Sequence, residues 1–319
     1  METSGGMDRG AECLEDLARP LSARSRFDER PHSFDEHLRL GTEAEVVERR
    51  SGDRVGATND STAAMTHPTS VTLAHDGRTL AGSLYDAGAD APWALLVHGF
   101  GGSRIGPRRL FALLADRLRQ AGVTAVAFDR LGHGESDGDF FDITVSDEIE
   151  QVLGMRRWAE DRAGGPIHLV AHSLGGVETA LSAARRPDGI ASLALWAPAA
   201  VSADDVAEGT VHGQSTDALD THGRIDIEGL ALGPAFVDDL RGTDPYDGID
   251  AYTGPARIHQ GLEDDVVPVR YSRRYAEIWG DPDALLVTYP DAGHTWSVLP
   301  ERETLIGNTV ADIVAAAGR

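Results

Sequence analysis

The chain has no lysine: all 29 of its basic residues are arginine. This absence excludes catalysis through a lysine Schiff base, and it excludes a phosphate-binding loop that ends in Lys-Ser or Lys-Thr. Cysteine is nearly absent as well, because Cys13 is the only one in 319 residues. A single thiol excludes intramolecular disulfides, dithiol redox chemistry and clustered thiolate metal sites. The chemistry of the protein must therefore use oxygen or nitrogen groups.

Long apolar runs are also missing. No stretch reaches the roughly 18 apolar residues that a membrane span needs. The first twenty residues interleave acidic side chains where a secretion signal would be continuously apolar. The sequence therefore predicts a cytoplasmic protein with no membrane partner. Because 52 acidic residues against 29 basic ones give a net charge of −23, no nucleic-acid partner is expected either.

The N-terminal part does not have the composition of a folded core. Residues 1–69 hold scattered apolar residues with no Trp, Tyr or Ile, and the end of this stretch is rich in Gly, Ser and Thr. Such composition predicts a disordered or loosely helical extension followed by a linker. A chain that begins near Met65, inside the linker, is expected to fold and keep its activity. The globular domain is predicted to span residues 70–319.

From residue 70 onward, short apolar runs alternate with amphipathic stretches of helical period. The predicted strands are Val71–His75, Thr79–Tyr85, Trp93–Val97, Val123–Phe128, Ile167–Ala171, Ile190–Trp196, Arg257–His259 and Leu285–Tyr289. The predicted helices are Leu110–Gln120, Ser146–Asp161, Leu174–Arg186, Ser272–Trp279 and Arg302–Ala317. This alternation is typical of an α/β fold with a mainly parallel sheet and helices on both faces. The rhythm breaks over about 199–255, where a segment rich in Gly and Asp predicts a small cap over the carboxyl ends of the strands.

A serine stands where a predicted buried strand turns into a helix. Ser173 follows Ile167–Ala171 closely, and small residues, Ala171 and Gly175, flank it at two positions on either side. Such a turn holds a serine in a strained conformation with its oxygen projecting, and it needs small neighbours because strand and helix pass close together. A serine that merely caps a helix is the alternative interpretation.

Glycine-rich and polar motifs follow other predicted strands. The sequence His98-Gly99-Phe100-Gly101-Gly102 comes directly after a strand. A turn there can aim the Phe100 amide at the same point as the Leu174 amide, which predicts an oxyanion hole. A simple strand-to-helix turn would favour glycine too. Asp264 and His294 follow the last two predicted strands, so an acid and a base stand at carboxyl ends in the chain order Ser, Asp, His.

Together these motifs make residues 70–319 resemble an α/β-hydrolase-fold serine hydrolase. The segment Phe128–Ser136 is similar to a loop of that family with the pattern D-x-R-G-x-G-x-S, with Leu131 in place of the common Arg. Paired with His98–Arg108, it resembles the branch that contains bacterial feruloyl and cinnamoyl esterases. The family pattern G-x-x-D-x-x-V-P selects Asp264 over Asp265. The resemblance also implies that three histidines, His98, His133 and His172, hold loops by hydrogen bonding. Two acids, Asp129 and Asp291, are left as further candidates for the catalytic acid.

The resemblance implies a serine esterase that works through an acyl-enzyme. Ser173 would be the nucleophile, His294 the base, and Asp264 the acid that orients it, with the amides of Phe100 and Leu174 as oxyanion donors. Hydrolysis of carbon–carbon or amide bonds uses the same triad and remains open, as does a non-catalytic binding protein. Neither a cofactor nor a metal is expected, because no matching motif occurs.

The expected substrate is a small-molecule ester. The segment 199–255 is long enough to cover a site, but it has few large apolar residues, and only 6% of the chain is aromatic. A deep apolar tunnel for long lipid chains is therefore not expected, which favours short-to-medium acyl or aryl esters. The resemblance to the feruloyl and cinnamoyl branch adds hydroxycinnamate esters to these candidates.

Overall fold

The alternation of strands and helices is visible throughout the computed structural model, which describes residues 67–318. The predicted extension, residues 1–69, lies outside the described residues except for its last three. In chain order the strands are β1 (Thr69–His75), β2 (Arg78–Tyr85), β3 (Trp93–Val97), β4 (Thr124–Phe128), β5 (Ile167–His172), β6 (Ile190–Trp196), β7 (Thr210–Val211), β8 (Gln214–Ser215), β9 (Ile225–Ile227), β10 (Leu230–Leu232), β11 (Ala256–Gly261) and β12 (Leu286–Tyr289).

The helices confirm the predicted positions and add several short ones. They are α1 (Leu110–Gln120), α2 (Val145–Ala163), α3 (Leu174–Arg185), α4 (Val201–Ala207), α5 (Ala218–His222), α6 (Pro234–Arg241), α7 (Val269–Trp279), α8 (Pro282–Leu285) and α9 (Leu299–Ala317). Single turns of 3₁₀-helix lie at Pro107–Arg109, Phe140–Asp142 and Ile249–Ala251. No helix within residues 67–318 is long and apolar enough to cross a membrane.

Eight strands form one sheet in the order β1-β2-β4-β3-β5-β6-β11-β12. The pairs β1/β2 and β2/β4 are antiparallel, and the other pairs are parallel. The connection from β3 to β4 runs toward one edge of the sheet, whereas those from β4 to β5 and from β5 to β6 run toward the other. Since such connections are right-handed, α1 lies on one face and α2 and α3 on the opposite face. This confirms the predicted α/β architecture with helices on both sides.

The core lies along the centre of this sheet. Every residue of β3, β4 and β5 is buried, as expected for parallel strands that are covered on both faces. The register aligns their ends: Val97 pairs with Ala171, and His172 pairs with Trp196. On the next strand, His259 pairs with Trp196 as well. The turns after these strands therefore meet at one edge of the sheet.

The segment between β6 and β11 folds into short elements that the sequence pattern did not resolve. It contains α4, the hairpins β7/β8 and β9/β10, α5 and α6. Its buried side chains include Ile225, Leu232, Phe236 and Leu240. Asp239 of α6 accepts hydrogen bonds from the amide and the hydroxyl of Ser146, both over 2.7 Å. The segment is thereby fastened to the first turn of α2.

Several element boundaries differ from the prediction, three of them at helices α7, α8 and α9. Helix α7 begins at Val269 instead of Ser272, directly after Pro268, and α9 begins at Leu299 with a proline in its first turn. Proline is well suited to the start of a helix because the amide it lacks would have no partner there. Leu285 belongs to α8 and not to the last strand. Asp281 caps that short helix by accepting from the Asp283 amide over 3.0 Å.

Candidate active site

Ser173 lies on a sharp turn between β5 and α3. Its φ of 57° and ψ of −128° are costly for a residue with a side chain. Backbone hydrogen bonds hold the turn: the Ser173 amide donates to the Trp196 carbonyl over 2.9 Å, and the Ser173 carbonyl accepts from Gly176 and Ala199. This strained turn places the hydroxyl beyond the carboxyl end of β5.

Small residues surround Ser173 because other chain segments pass close to it. A Cβ atom at Gly175 would collide with the carbonyl oxygen of His98, and one at Gly99 would lie 2.8 Å from the Cβ of Ser173. Ala171 stands where motifs of this kind commonly have glycine, and its methyl group is fully buried in the sheet. The sheet therefore has room for the methyl group of Ala171 in place of the common glycine, whereas the surroundings of Gly175 leave no room for a methyl group.

The three residues selected from the sequence form a continuous chain of hydrogen bonds. The Ser173 Oγ lies 2.9 Å from Nε2 of His294, and Nδ1 of His294 lies 2.9 Å from Oδ2 of Asp264. Since a carboxylate only accepts, Nδ1–H donates to Asp264, and Nε2 is left to accept from the serine hydroxyl. In this arrangement the imidazole can take the proton of the hydroxyl.

Asp264 is held as an anion by its surroundings. Its Oδ1 accepts from the amides of Val266 over 3.0 Å and Val267 over 2.8 Å. Burial raises the pKa of the Asp264 carboxyl, but the hydrogen bond from His294, the charge of His294 and the two amides outweigh burial. The net effect lowers the pKa of Asp264 below its ordinary value. Its charge can therefore support a protonated His294.

The other acids considered from the sequence lie elsewhere. Asp265 and Asp291 are exposed, and Asp265 lines the cavity beside Ser173. Asp129 is fully buried, where it forms an ion pair with Arg104 and accepts from the Glu135 amide over 2.9 Å. The choice of Asp264 over its neighbour therefore agrees with the geometry.

Three other histidines near the site, His98, His133 and His172, hold loops. His172 Nε2 lies 2.9 Å from the carbonyl oxygen of His294, His133 Nδ1 lies 3.0 Å from that of Leu131, and His98 Nδ1 lies 2.8 Å from that of Gly99. Burial lowers the pKa of both His172 and His133 to about 3, so both are neutral near pH 7. All three fix backbone positions by hydrogen bonding, as expected from the sequence.

The predicted oxyanion donors border the same cavity as Ser173. Leu174 is the first residue of α3, so its amide is one of those that have no partner inside the helix. Phe100 follows Gly99, where an added Cβ would be 3.4 Å from the Ser173 Oγ. Both residues line the cavity. Two amides from different loops thus lie beside the Ser173 hydroxyl.

Two polar residues of this region were not selected from the sequence. Gln260 is fully buried at the end of β11, and its Nε2 donates to Oδ2 of Asp264 over 3.0 Å and to the Val267 carbonyl over 3.0 Å. Arg130 is also fully buried and pairs with Glu148 and Glu178. The family pattern has an arginine at the position that Leu131 occupies here. In this chain the preceding residue, Arg130, is the one that forms ion pairs. The available signals were an amide side chain near the end of a strand for Gln260 and, for Arg130, a charged residue two positions after a strand in the Phe128–Ser136 motif.

The cavity over Ser173 has a volume of about 940 Å³. Aromatic and aliphatic side chains cover much of its wall: Phe100, Phe111, Val211, Leu230 and Phe236. Phe100 packs on Phe236 with ring centroids 5.0 Å apart, so the cap and the glycine-rich loop form one apolar surface. The charged residues at the wall are acidic: Asp205, Glu228 and Asp265.

Among residues 67–318, one group of side chains could together hold a metal ion: His75, Asp76 and Asp147. His75 Nε2 already lies 3.0 Å from Asp147 Oδ1, and Arg78 lies 3.8 Å from the other oxygen of Asp147. This cationic neighbour disfavours a metal ion there. None of these residues lines the cavity over Ser173.

The sequence profile of the alpha/beta hydrolase family matches residues 94–305. The fold and the strained serine turn are consistent with this match. The chain belongs to the alpha/beta hydrolase family. In the structural comparison, Est1E from Butyrivibrio proteoclasticus, solved with ferulic acid bound, is 25% identical with a TM-score of 0.71. The similarity covers 78% of this chain and 100% of that one. The resemblance to the feruloyl esterase branch is thereby confirmed.

Curated relatives match over shorter stretches. Human monoglyceride lipase is 34% identical over 90 residues, which cover 27% of this chain and 29% of the relative. A probable 1-acylglycerol-3-phosphate O-acyltransferase of rice is 30% identical over 122 residues, which cover 38% of this chain and 28% of the relative. The chain thus spans less than a third of the length of these two relatives.

Proposed function

We propose that the protein is a carboxylic ester hydrolase in which Ser173 is the nucleophile. The observation that carries this proposal is the hydrogen-bonded chain from the Ser173 hydroxyl through His294 to Asp264, built on a strained turn. Strain is retained where the surrounding structure supports a function. The family membership and the esterase and lipase names among the relatives support the same reaction class.

The reaction proceeds in two halves. The Ser173 Oγ attacks the ester carbonyl carbon while His294 Nε2 takes the hydroxyl proton, and the negative charge of the tetrahedral intermediate falls on the former carbonyl oxygen. The amides of Phe100 and Leu174 donate to that oxygen. The carbon–oxygen bond to the alcohol then breaks, His294 returns the proton to the leaving alcohol, and the acyl group stays on Ser173. Water repeats the sequence and releases the acid.

A serine exchange tests the proposal directly. Ser173→Ala is expected to abolish turnover of p-nitrophenyl butyrate and labelling by a fluorophosphonate probe, because it deletes the attacking oxygen. Ser297→Ala is the matched control, since Ser297 is exposed and does not line the cavity. Labelling of another serine, or full turnover by Ser173→Ala, contradicts the proposal.

The substrates we propose are short-to-medium acyl or aryl esters, with hydroxycinnamate esters as a specific candidate. Phe100, Phe111 and Phe236 at the cavity wall suit a planar acyl group. The ferulic acid bound to Est1E supports this class. The three acidic residues at the wall disfavour a substrate that carries its own carboxylate. A monoacylglycerol is the alternative that the human relative suggests.

A panel of esters separates these classes. Methyl ferulate, p-nitrophenyl butyrate, p-nitrophenyl laurate, a monoacylglycerol, a succinate monoester and an aryl amide are compared by kcat/KM. The first two are expected to exceed the laurate and the succinate monoester at least about tenfold. A steady rise in kcat/KM with acyl length would contradict the substrate class while leaving ester hydrolysis itself intact. Turnover of the amide alone would contradict both.

A further inference from the structure

A single guanidinium lies between two carboxylates beneath the candidate active site. Arg130 is the second residue after β4, and its Nε lies 3.1 Å from Oε1 of Glu148 on α2. Its Nη1 pairs with Oε2 of Glu178 on α3. All three side chains are fully buried. Taking three charges out of water is costly, and a packed apolar cluster of the same volume would often be at least as stable.

The third arm of Arg130 reaches the glycine-rich loop. Its Nη2 donates to the carbonyl oxygen of Gly99 over 2.9 Å. The same oxygen accepts from His98 Nδ1 over 2.8 Å and from the Gly102 amide over 3.2 Å. The Arg130 amide donates to His98 Nε2 over 3.1 Å, which leaves the ring hydrogen of His98 on Nδ1 for Gly99. Three donors therefore fix one carbonyl group.

The orientation of that carbonyl sets the orientation of the next amide. A trans peptide unit is planar, so its C=O and N–H groups point in opposite directions. With the Gly99 oxygen held toward buried Arg130, the Phe100 N–H points away from Arg130. Gly99 itself lies against Ser173, as the 2.8 Å to an added Cβ shows, and Phe100 lines the cavity. The Phe100 amide is thus turned to the nucleophile's side.

We propose that Arg130 is a positioning residue that aims and polarises the Gly99–Phe100 peptide unit as an oxyanion donor. This inference rests on the proposed ester hydrolysis. A cation on the carbonyl oxygen draws electron density from the peptide unit and makes its N–H a stronger donor. The surroundings are buried, where such an electrostatic effect is stronger than in water. Glu148 and Glu178 hold the guanidinium in place from two helices.

The experiment compares an ester with its thiono counterpart, in which sulfur replaces the carbonyl oxygen. Sulfur is larger than oxygen and a poorer hydrogen-bond acceptor, so a site that stabilises an oxyanion favours the oxygen ester. The oxygen-to-sulfur ratio, which is kcat for the oxygen ester divided by kcat for the thiono ester, therefore measures how well the donors are oriented. Arg130→Met is expected to lower kcat for p-nitrophenyl butyrate about 10- to 100-fold with little change in KM. In the same variant, the oxygen-to-sulfur ratio and the affinity for a trifluoromethyl ketone inhibitor are expected to fall by a similar factor.

Unpaired carboxylates could prevent Arg130→Met from folding. The variant that combines Arg130→Met with Glu148→Gln and Glu178→Gln removes the buried charges together, and it is expected to give the same loss. Arg156→Lys is the matched control: Arg156 is fully buried and donates to the Ser182 carbonyl over 2.8 Å, away from the cavity. Arg156→Lys is expected to lower stability while leaving the oxygen-to-sulfur ratio unchanged.

An unchanged ratio in the folded Arg130 variants would overturn the inference and leave Arg130 a purely structural residue. Failure of the proposed function would give a different result: a wild-type protein that hydrolyses neither the oxygen ester nor its thiono counterpart would contradict ester hydrolysis itself. The two failures are therefore distinguishable.

Discussion

Two adjacent carboxylates differ in what they contact. Asp264 accepts from His294 Nδ1 and from two backbone amides, whereas Asp265 is exposed. Asp264→Asn is expected to lower kcat about 10²- to 10⁴-fold, because an amide does not supply the charge that supports a protonated imidazole. Asp265→Asn is expected to stay within about threefold of wild type. Steady-state kinetics on one neutral ester check both, and equal losses would mean that the wrong acid was chosen.

Two glycines show opposite consequences of an added methyl group. Gly175→Ala is expected to destabilise the protein by about 1–3 kcal/mol or more, because its Cβ would meet the His98 carbonyl. Gly307 lies within α9, where an added Cβ would have open space around it to 4 Å, so Gly307→Ala is expected to stabilise by about 0.5–1 kcal/mol. Urea unfolding midpoints measure both. A stable Gly175→Ala would show that strand and helix can separate there.

Among the secondary-structure elements, the central strands and long helices were predictable from the sequence. Strand β3 is a continuous apolar run bounded by turn residues, β5 is an apolar run interrupted by His168, and α1 has a clear helical period. The cap elements were not predictable in this way. They are short, for example the two-residue strands of β7/β8, and long-range packing decides their form more than local propensity does.

The same division applies to the candidate site. Ser173, Asp264 and His294 each stand in a motif directly after a strand, so their meeting at one sheet edge follows from parallel topology. Gln260 has no such motif, and the motif that contains Arg130, Phe128–Ser136, does not indicate that Arg130 is the residue that forms the ion pairs. Their roles depend on which buried groups face them in three dimensions, and a linear pattern does not carry that information.

Helix α6 joins the cap to the glycine-rich loop through one side chain. Phe236 is 1% exposed, packs on Phe100 and lines the cavity. Phe236→Leu is expected to lower the preference for an aryl ester over an acetate, as a ratio of kcat/KM values, about tenfold, because a flat apolar wall is lost. Phe141→Leu is the control, since Phe141 is 37% exposed and does not line the cavity. An unchanged preference would place the aryl group elsewhere.

At the scale of the whole molecule, buried neutral histidines make stability depend on pH. Burial lowers the pKa of His133, His172 and His259 to about 3 and that of His168 to about 4. In the unfolded chain these groups take up protons below about pH 6.5. Between these values the unfolded state binds more protons, so stability falls as pH decreases, by up to about 1.4 kcal/mol per pH unit for each histidine.

The buried carboxyl of Glu148 acts in the opposite direction. Burial raises the pKa of Glu148 to about 7, so the folded state binds its proton more readily between about pH 4.5 and 7, which favours folding in acid. Burial lowers the pKa of His98 as well, so among the described residues the buried histidines outweigh this carboxyl, and urea midpoints are expected to fall clearly between pH 7 and pH 5. His259→Gln is expected to flatten this dependence, whereas His222→Asn, at an exposed position, leaves it unchanged. A midpoint that rises in acid would contradict the argument.

The hydrogen bond between Ser173 and His294 closes a loop of 121 residues. His294 follows β12, which lies at the edge of the sheet and pairs with β11 alone in it. Contacts between such distant parts of a chain tend to form slowly, because ordering the intervening loop costs entropy before the contact repays it. Activity would then report the last step of folding. A nascent chain would stay inactive until β12 and His294 have left the ribosome and docked, however early its serine turn has formed.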